Sequence, residues 1–243
     1  FVNHLMSALA IAAVLFGCQA GRGDATAPPT AGTAATQTSA TVPLPPWQSG
    51  FLDIHHIQTG RGNAAFAIFP DGSTLLIDAG ALEDNWARKY EPLKLAPAVP
   101  DASRRPGEWI ADYIARFAPA GTTGLDYALI SHFHADHFGR VQDSSPYSAR
   151  GDWKLSGLTD VAERLPISTL IDRDYPDYGF PAPQRGTGDP SLANYIRFVD
   201  ANVAAGRMKA ERLAVGRDDQ IVCRKDRARC ADFSIRNIAA NGV

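Results

Sequence analysis

The sequence has no surplus of basic residues. Its 243 residues include 24 lysines and arginines against 26 aspartates and glutamates, for a formal net charge of -2. Proteins that hold nucleic acid by its phosphates usually carry a basic surplus or stripe, so the composition gives no strong nucleic-acid-binding signal. A Gly-x-Ser-x-Gly segment, which marks the serine nucleophile of one large class of hydrolases, is also absent from the sequence. Neither charge-driven nucleic-acid binding nor a serine nucleophile of that kind is therefore indicated.

An apolar run long enough to span a bilayer is missing too. The run near the start, residues 5–17, is too short, because a helix needs roughly 20 residues to cross. It is typical of the core of an export signal. It ends in Leu15-Phe16-Gly17-Cys18, which resembles the lipobox of bacterial lipoproteins, and Gln19 then implies outer-membrane sorting. We expect residues 1–18 to be an incomplete lipoprotein-type export signal with Cys18 lipidated, on a protein facing the periplasm or the cell surface. The alternative is a cleaved signal and a soluble periplasmic protein.

Large apolar side chains are scarce between residues 19 and 46. This segment consists mainly of Ala, Thr, Gly and Pro. Such a composition cannot bury enough apolar surface to offset the entropy that is lost on ordering. We expect a flexible linker there, which leaves residues 47–243 as the folded part.

Only three cysteines are present, and two of them, Cys223 and Cys230, are close together in sequence. They lie in residues 220–237, whose pattern favours two strands joined by a turn. In an exported protein this pair is a candidate disulfide, with two free thiols as the open alternative. The pair makes a poor zinc site, because its spacing is wider than usual and no second cysteine pair exists.

Three apolar segments between residues 51 and 80 predict a meander of antiparallel strands. They are FLDIHHI, AAFAIF and TLLID, and the turn signal Pro70-Asp71-Gly72 separates the last two. The third segment delivers Asp78 at a strand end. Apolar positions that recur every three and four residues predict helices at 106–117 and 191–204. Strands followed by a helix and a further strand indicate a layered α/β sandwich.

Two other polar groups have less specific patterns. His55 and His56 lie within the first predicted strand and point to opposite faces, and we interpret both as structural. Another short apolar strand is followed by a polar group that includes three acids: Asp172, Arg173, Asp174, Tyr175 and Asp177. We interpret these three acids as solvated loop charges, with a substrate-facing loop as the alternative.

The richest feature is SHFHADHFG at residues 131–139, where three of the six histidines and an aspartate fall close together. It follows the apolar segment 125–130, which is typical of a buried strand, and ligands of open α/β sheets bind at the carboxyl ends of strands. Imidazoles and carboxylates are zinc ligands. Alternation along an extended chain puts His132 and His134 on one side, and the residues that follow can face a second position. The spacing suits two adjacent cations, and the alternative is a histidine-rich surface loop.

The pattern His132-x-His134-x-Asp136-His137, with LIDAG upstream at residues 76–80, resembles the metallo-β-lactamase superfamily. Within it, the two segments are most similar to the branch related to the metallo-hydrolase domain of bacterial DNA-uptake proteins. Gly60-Arg61-Gly62-Asn63 stands where that branch has GQGD. The resemblance spans residues 51 to 140 and implies an αββα sandwich.

The resemblance also implies roles for individual residues. His132 and His134 would bind a first metal ion, and Asp136 and His137 a second, with zinc as the expected metal and one or two ions in all. Asp136 would be catalytic as well, by orienting the attacking water as it loses its proton. Asp78 would order the motif loop from behind, and the alternative is that Asp78 only caps a turn.

The family pattern also requires ligands that this sequence does not supply. It has a further histidine for the first metal, a bridging aspartate and a last histidine for the second, whereas no histidine follows His137. We therefore expect a fragment, in which residues 47–243 are the N-terminal portion of the hydrolase domain and its C-terminal part is missing. The rival interpretation is a complete protein that kept the loop and lost catalysis.

The expected function is hydrolysis by a metal-activated water, on a small-molecule or phosphodiester substrate. The resemblance favours phosphodiesters, and lactones, thioesters and β-lactams are the alternatives because a fold does not decide its substrate. A different class of function is a lipid-anchored, catalytically vestigial metal-binding protein, held to outer-membrane lipid through Cys18. The sequence carries no signal of oligomeric state.

Overall fold

The structure, a computed structural model, describes residues 44–82 and 96–240. The export signal, Cys18 and the linker as far as residue 43 lie outside the described residues. Within the described ranges, no helix combines the length and the apolar character needed to cross a bilayer.

Six strands form one mixed sheet, in the order in which they occur along the chain. They are β1 (Asp53–His56), β2 (Ala65–Ile68), β3 (Thr74–Ile77), β4 (Leu125–Ile130), β5 (Ile167–Asp172) and β6 (Lys209–Arg212). The first three strands pair antiparallel, so the predicted meander is confirmed. Strands β3 to β6 pair in parallel, and their carboxyl ends therefore share one edge of the sheet.

Between the strands, residues 44–82 and 96–240 contain four helices: α1 (Pro106–Phe117), α2 (Ala135–Phe138), α3 (Leu158–Arg164) and α4 (Pro190–Ala204). Helix α1 has the predicted bounds. Helix α4 begins one residue before its predicted start, because the Asp189 carboxylate accepts the backbone N–H groups of Ser191 and Leu192. Proline fits the first position of this helix, since its missing N–H would have had no intrahelical partner.

One face of the sheet is covered by helices α1, α3 and α4. Apolar side chains of both layers are buried between them, among them Ile110, Ile114, Val161, Val199, Leu76, Ile130 and Leu170. Full burial of a side chain of this size contributes about 1.5–3 kcal/mol relative to exposure, so this layer is the main hydrophobic core. The protein is therefore of the α/β class, with a helical layer on a mixed sheet.

The opposite face is covered by irregular chain from the end of the described region. Phe69, Leu75 and Ile171 of the sheet side pack with Ile221 and with other apolar residues of this segment. The predicted strand–turn–strand at residues 220–237 is wrong, because the regular element there is a short 3₁₀ helix, Arg227–Cys230. Cys223 and Cys230 are joined in a disulfide, with Cα atoms 6.4 Å apart.

Side chains of the sheet, rather than a neighbouring strand, satisfy the backbone of this segment. The Tyr127 hydroxyl accepts the Val222 N–H at 3.1 Å and donates to the Val222 carbonyl at 2.9 Å. The Asp71 carboxylate accepts the N–H groups of Lys225 and Asp226 at 2.7 and 3.1 Å. The apolar alternation that suggested strands reflects packing on the sheet face, and the long-range side-chain bonds replace a strand ladder.

Candidate metal centre

The histidine motif begins where β4 ends, at the edge that the parallel strands share. His134 is extended, with φ -111° and ψ 149°, and α2 starts directly after it. Gly139 ends this helix with φ 113°, a value that favours glycine. A Cβ at Gly139 would also overlap the Ser156 backbone. The motif is thus a tight loop and one short helical turn.

His132 and His134 bring one ring nitrogen each to the same place. Nε2 of His132 lies 3.1 Å from Nδ1 of His134. Two ligands of a tetrahedral zinc ion, each about 2.0–2.1 Å from the metal, are about 3.3 Å apart. The pair therefore has the spacing of two ligands on one cation.

The environment of His132 favours its neutral form. Burial lowers the pKa of His132, and the neighbouring rings of His137 and His134 lower it further, against the opposing effect of nearby carboxylates. The ring centroids of His132 and His137 are 3.8 Å apart, so two positive charges there would repel strongly. A neutral imidazole carries the lone pair that a metal requires.

Asp136 and His137 form a second pair. Oδ2 of Asp136 is 3.5 Å from Nε2 of His137, again close to the spacing of two ligands on one ion. Nδ1 of His137 lies 2.8 Å from Oδ2 of Asp78. A carboxylate that accepts a hydrogen bond from one ring N–H leaves the lone pair of the other ring nitrogen to bind a metal.

Asn63 contacts the same nitrogen of His137. Its side-chain amide nitrogen is 3.3 Å from Nε2 of His137, so it would have to move before a cation could bind there. The Asn63 backbone N–H donates to the Asp136 carbonyl at 2.8 Å. The loop that carries Asn63 therefore stays in contact with the motif when the Asn63 side chain moves. The sequence showed only that asparagine departs from the GQGD pattern and did not predict this contact.

Asp78 lies behind the motif and connects its two ends. Its Oδ1 accepts the Ser131 N–H at 2.8 Å, and its Oδ2 accepts the Ser131 hydroxyl at 2.8 Å as well as the His137 ring. Asp78 has φ 59°, a left-handed conformation that costs a residue with a Cβ roughly 1–2 kcal/mol. Its hydrogen bonds offset this strain and hold both ends of the loop against β3.

The backbone after β3 lies directly against the short helix of the motif. The Ala79 N–H donates to the His137 carbonyl at 2.7 Å. Gly80 and Gly62 face the Asp136 carbonyl oxygen, and a Cβ on Gly80 would overlap it. The small residues Ala79 and Gly80 therefore allow the backbone after β3 to lie in direct contact with the motif.

The prediction of solvated charges after β5 is wrong for Asp172 and Asp174, which are 1% and 3% exposed. Asp172 accepts the hydroxyls of Tyr178 and Tyr195, at 3.1 and 2.8 Å, and two backbone N–H groups. Burial raises the pKa of Asp172, and these hydrogen bonds oppose the rise. Asp177 is exposed, as predicted. The tyrosines that bury Asp172 are partners that a local sequence pattern does not reveal.

The two tyrosines also support the motif. The Phe133 ring centroid lies 5.6 Å from that of Tyr178 and 5.7 Å from that of Tyr195. Phe138 lies 5.2 Å from Tyr195 and is buried in the helix-covered core. Phe138 thus anchors the motif in the core, whereas His134, between the two rings, is exposed.

The earlier histidines have other surroundings. Nδ1 of His55 lies 3.0 Å from the Tyr113 hydroxyl of α1, and burial lowers the pKa of His55 against the opposing charge of Asp53. His56 is exposed on β1. The contacts of His55 agree with its structural interpretation.

The motif offers ligands in pairs. Within the part of the chain that the structure describes, the one set of three candidate ligand atoms lying within 4.8 Å of one another belongs to Asp71, Cys223 and Cys230. Both sulfur atoms of that set are in the disulfide, so no thiolate is available there. The imidazole and carboxylate pairs of the motif fit zinc in donor type and spacing. Water or further protein ligands would complete each four-coordinate shell.

No protein-family model and no curated protein matches this chain. A proposal about function therefore depends on the geometry of the motif and of its surroundings.

Proposed function

We propose that this chain belongs to a metal-dependent hydrolase of the metallo-β-lactamase type, with residues 47–243 as the N-terminal portion of an αββα sandwich. The observation that carries the proposal is the 3.1 Å spacing of ring nitrogens in His132 and His134, beside His137 held by Asp78. A helical layer on one face of the sheet and an apolar second face agree with one half of such a sandwich.

In the proposed reaction, the residues of the motif have distinct roles. His132 and His134 hold one cation, and Asp136 and His137 hold a neighbouring one. Zinc suits this set of three imidazoles and one carboxylate. When bound, it supplies a water that ionises near pH 7 and a Lewis acid for the carbonyl or phosphoryl oxygen of the substrate. Asp136, with 40% of its side chain exposed, is accessible to orient the attacking water and to accept its proton.

The other residues keep the loop in place. Asp78 and Ser131 fix the orientation of the His137 ring, and Phe133 fixes the loop through its contacts with the tyrosines. A loop held in this way needs little rearrangement when substrate binds, which is the condition for effective electrostatic catalysis. The reaction class is hydrolysis, with phosphodiesters as the first candidate substrates and lactones, thioesters and β-lactams as the others.

A second candidate is metal binding without turnover. The Asn63 amide favours this reading, because its nitrogen lies 3.3 Å from Nε2 of His137, the atom that the second cation would need.

Titration of the purified chain with Co²⁺, followed by its visible absorption, tests the site. We expect binding that is strongly weakened in His132→Ala and in His134→Ala, and unchanged in His56→Ala, whose histidine is exposed on β1. Hydrolysis of bis(4-nitrophenyl) phosphate, 4-nitrophenyl acetate and a chromogenic cephalosporin, with and without a chelator, then separates the candidates. Binding without chelator-sensitive turnover supports the second candidate, and the absence of binding contradicts both.

We also propose that Cys18 is lipidated and that the folded part is tethered to the outer membrane by residues 19–46. The support is the apolar run that ends at Cys18 and the linker composition that follows it. Incorporation of a radioactive fatty acid into the parent chain, and its loss in Cys18→Ser, is the expected result. If the parent chain incorporates no label, a soluble periplasmic protein is the remaining reading.

A further inference from the structure

A cavity of about 290 Å³ lies at the amino-terminal edge of the sheet, opposite the edge that carries the motif. It is lined by Pro166 and Ile167, where β5 begins, and by Met208, directly before β6. Strand β5 has six residues, and at about 3.3 Å per residue it is roughly 20 Å long. The cavity is therefore separate from the motif, and its volume, near the lower end of the roughly 300–1,000 Å³ of ligand sites, suits a small molecule.

Two arginines line this cavity, Arg150 before α3 and Arg207 after α4. Nη1 of Arg150 donates to the Ala162 carbonyl at 3.4 Å. Nε of Arg207 donates to Oδ1 of Asn202 at 2.9 Å. Both acceptors are uncharged, and neither arginine forms an ion pair with a residue of the described ranges. Because a guanidinium has five N–H donors, each arginine keeps its charge and further donors for a ligand.

Glu163 adds a carboxylate to the cavity wall, and this carboxylate has partners of its own. Its Oε2 accepts the Ser148 hydroxyl at 2.7 Å, and its Oε1 accepts the Ala149 N–H at 3.3 Å. Two guanidinium groups and one carboxylate leave the wall with one net positive charge. This balance favours a ligand that carries a single negative charge.

The indole of Trp153 also lines the cavity and is 2% exposed. Its Nε1 is buried without a hydrogen-bond partner among the described residues, whereas the indole nitrogens of Trp47 and Trp109 donate to backbone carbonyls at 3.0 and 3.1 Å. A Cβ on Gly151 would overlap Cζ3 of Trp153, so Nε1 lies on the ring edge that faces away from Gly151. A buried donor without an acceptor is destabilising, and a ligand oxygen in the cavity would supply the acceptor.

We propose that this cavity binds a small carboxylate with an apolar body. Arg150 and Arg207 hold the carboxylate, because the planar guanidinium donates to both oxygens of such a group. The Arg207 guanidinium carbon is 6.0 Å from the Trp153 ring centroid, so this cation and the unpartnered N–H lie on neighbouring side chains. Phe198, whose ring centroid is 5.6 Å from that of Trp153, and Met208 supply the apolar wall.

Two features favour a carboxylate over a phosphate monoester. The wall carries one net positive charge, whereas a phosphate monoester has a charge of about -1.5 to -2 at pH 7. The cavity is also small, and a carboxylate takes up less of it. None of the cavity residues belongs to the motif, so the proposal does not depend on the proposed function.

Isothermal titration with three probes tests the proposal: benzoate, its neutral isostere benzamide, and acetate, which has the same charge without the ring. The chain is first freed of metal, so that a carboxylate cannot bind a cation at the motif. We expect benzoate to bind about tenfold more tightly than benzamide, because hydrogen bonds to a charged group are stronger. Acetate should also bind about tenfold more weakly than benzoate, because it buries less apolar surface.

Variants assign the binding to the arginines. Arg150→Gln and Arg207→Gln should each weaken benzoate binding about tenfold. The matched control is Arg116→Gln on α1, because Arg116 also lies near an aromatic ring, 5.5 Å from the Phe117 centroid, and does not line the cavity. The control should bind benzoate as the parent chain does.

The indole proton of Trp153 gives a second readout, which needs no variant. In the NMR spectrum of the parent chain, benzoate should shift this signal downfield as Nε1 gains an acceptor. The signal of Trp109, whose indole already donates to the Asp101 carbonyl, should stay in place.

Four results would overturn the proposal. They are no binding of benzoate, equal affinity for benzamide, unchanged affinity in both Arg150→Gln and Arg207→Gln, and a Trp153 indole signal that benzoate does not move. If the arginine variants do not fold, the NMR titration of the parent chain decides alone.

Discussion

Two buried aspartates lie on either side of β4 and have different partners. Asp78 follows β3 and is 6% exposed, and Asp172 ends β5 and is 1% exposed. The carboxylate of Asp172 is satisfied within the protein by two tyrosine hydroxyls and two N–H groups. The carboxylate of Asp78 bonds Ser131 and the His137 ring, whose other nitrogen contacts Asn63 and Asp136 in the site.

The difference teaches that burial alone does not show whether the bonds of a carboxylate end inside the protein or continue to a partly exposed side chain. A tyrosine hydroxyl that donates to Asp172 ends the network inside the core. A histidine that donates to Asp78 transmits the orientation to its second nitrogen, where a further ligand can bind. Substitutions at the two aspartates and at the histidines should therefore separate into effects on stability and effects on metal binding.

Loss of a motif histidine should give the largest effect, and that effect should be on activity. His132→Ala should lower chelator-sensitive hydrolysis by more than about 100-fold, because even groups that only orient metal ligands are worth about 10–100-fold. The free energy of unfolding should change little, since His132 is only partly buried and belongs to neither hydrophobic cluster. Steady-state rates and urea unfolding of one protein preparation give both numbers. Activity that survives in His132→Ala would contradict the metal site.

Asp172→Ala should show the opposite pattern and destabilise the fold by about 3 kcal/mol, because several buried donors lose their acceptor. Urea unfolding measures the change. The control is Asp177→Ala from the same loop, whose side chain is 72% exposed and should contribute little. A loss below about 1 kcal/mol in Asp172→Ala would mean that its hydrogen bonds give no net stability.

Asp78→Asn should fall between these two cases, with metal affinity lowered about 10–100-fold. The amide keeps one acceptor for Ser131, but its nitrogen cannot accept the proton of His137, so the ring is no longer held. Competition between the protein and a chromophoric zinc chelator measures the affinity, and Asp53→Asn on β1 serves as the control. Unchanged affinity would support the simpler alternative, in which Asp78 only caps a turn.

Features with local causes could be predicted from the sequence. The turn Pro70-Asp71-Gly72 and the flanking apolar runs predicted β2 and β3, and the spacing of apolar residues predicted the bounds of α1. The clustering of His132, His134, Asp136 and His137 after an apolar strand is likewise local. These features depend on residues within a few positions of one another, where backbone sterics and periodicity decide the outcome.

Features that depend on distant partners could not be predicted in this way. Asp172 is buried because Tyr195, 23 residues later, donates to it. The end of the described chain is irregular because Tyr127 bonds Val222, 95 residues later. Asn63 reaches His137 across 74 residues. A solvated loop and a loop that is buried by distant residues can have the same composition of acidic, polar and turn residues. Only the tertiary contacts distinguish the two kinds of loop.

The smallest predicted effect concerns the charge of Asp172. Burial raises the pKa of Asp172 against its hydrogen bonds, so the folded state binds this proton more tightly than the unfolded chain, whose aspartates titrate near pH 3.9. The stability that comes from the protonated carboxyl is therefore complete below about pH 4 and is lost as pH rises through the raised value. Asp172→Asn stays neutral throughout and mimics the protonated form. The parent chain should lose stability relative to this variant as pH rises.

Urea unfolding of the parent chain and of Asp172→Asn, at about pH 4 and at about pH 7, measures this difference with all other titrating groups in common. The unfolding free energy of the parent minus that of the variant should be smaller at the higher pH. A difference that grows with pH would mean that the hydrogen bonds from the tyrosines and the backbone outweigh burial. Asp172 would then be ionised in the folded protein, and its hydroxyl and N–H partners would stabilise a negative charge beside the motif.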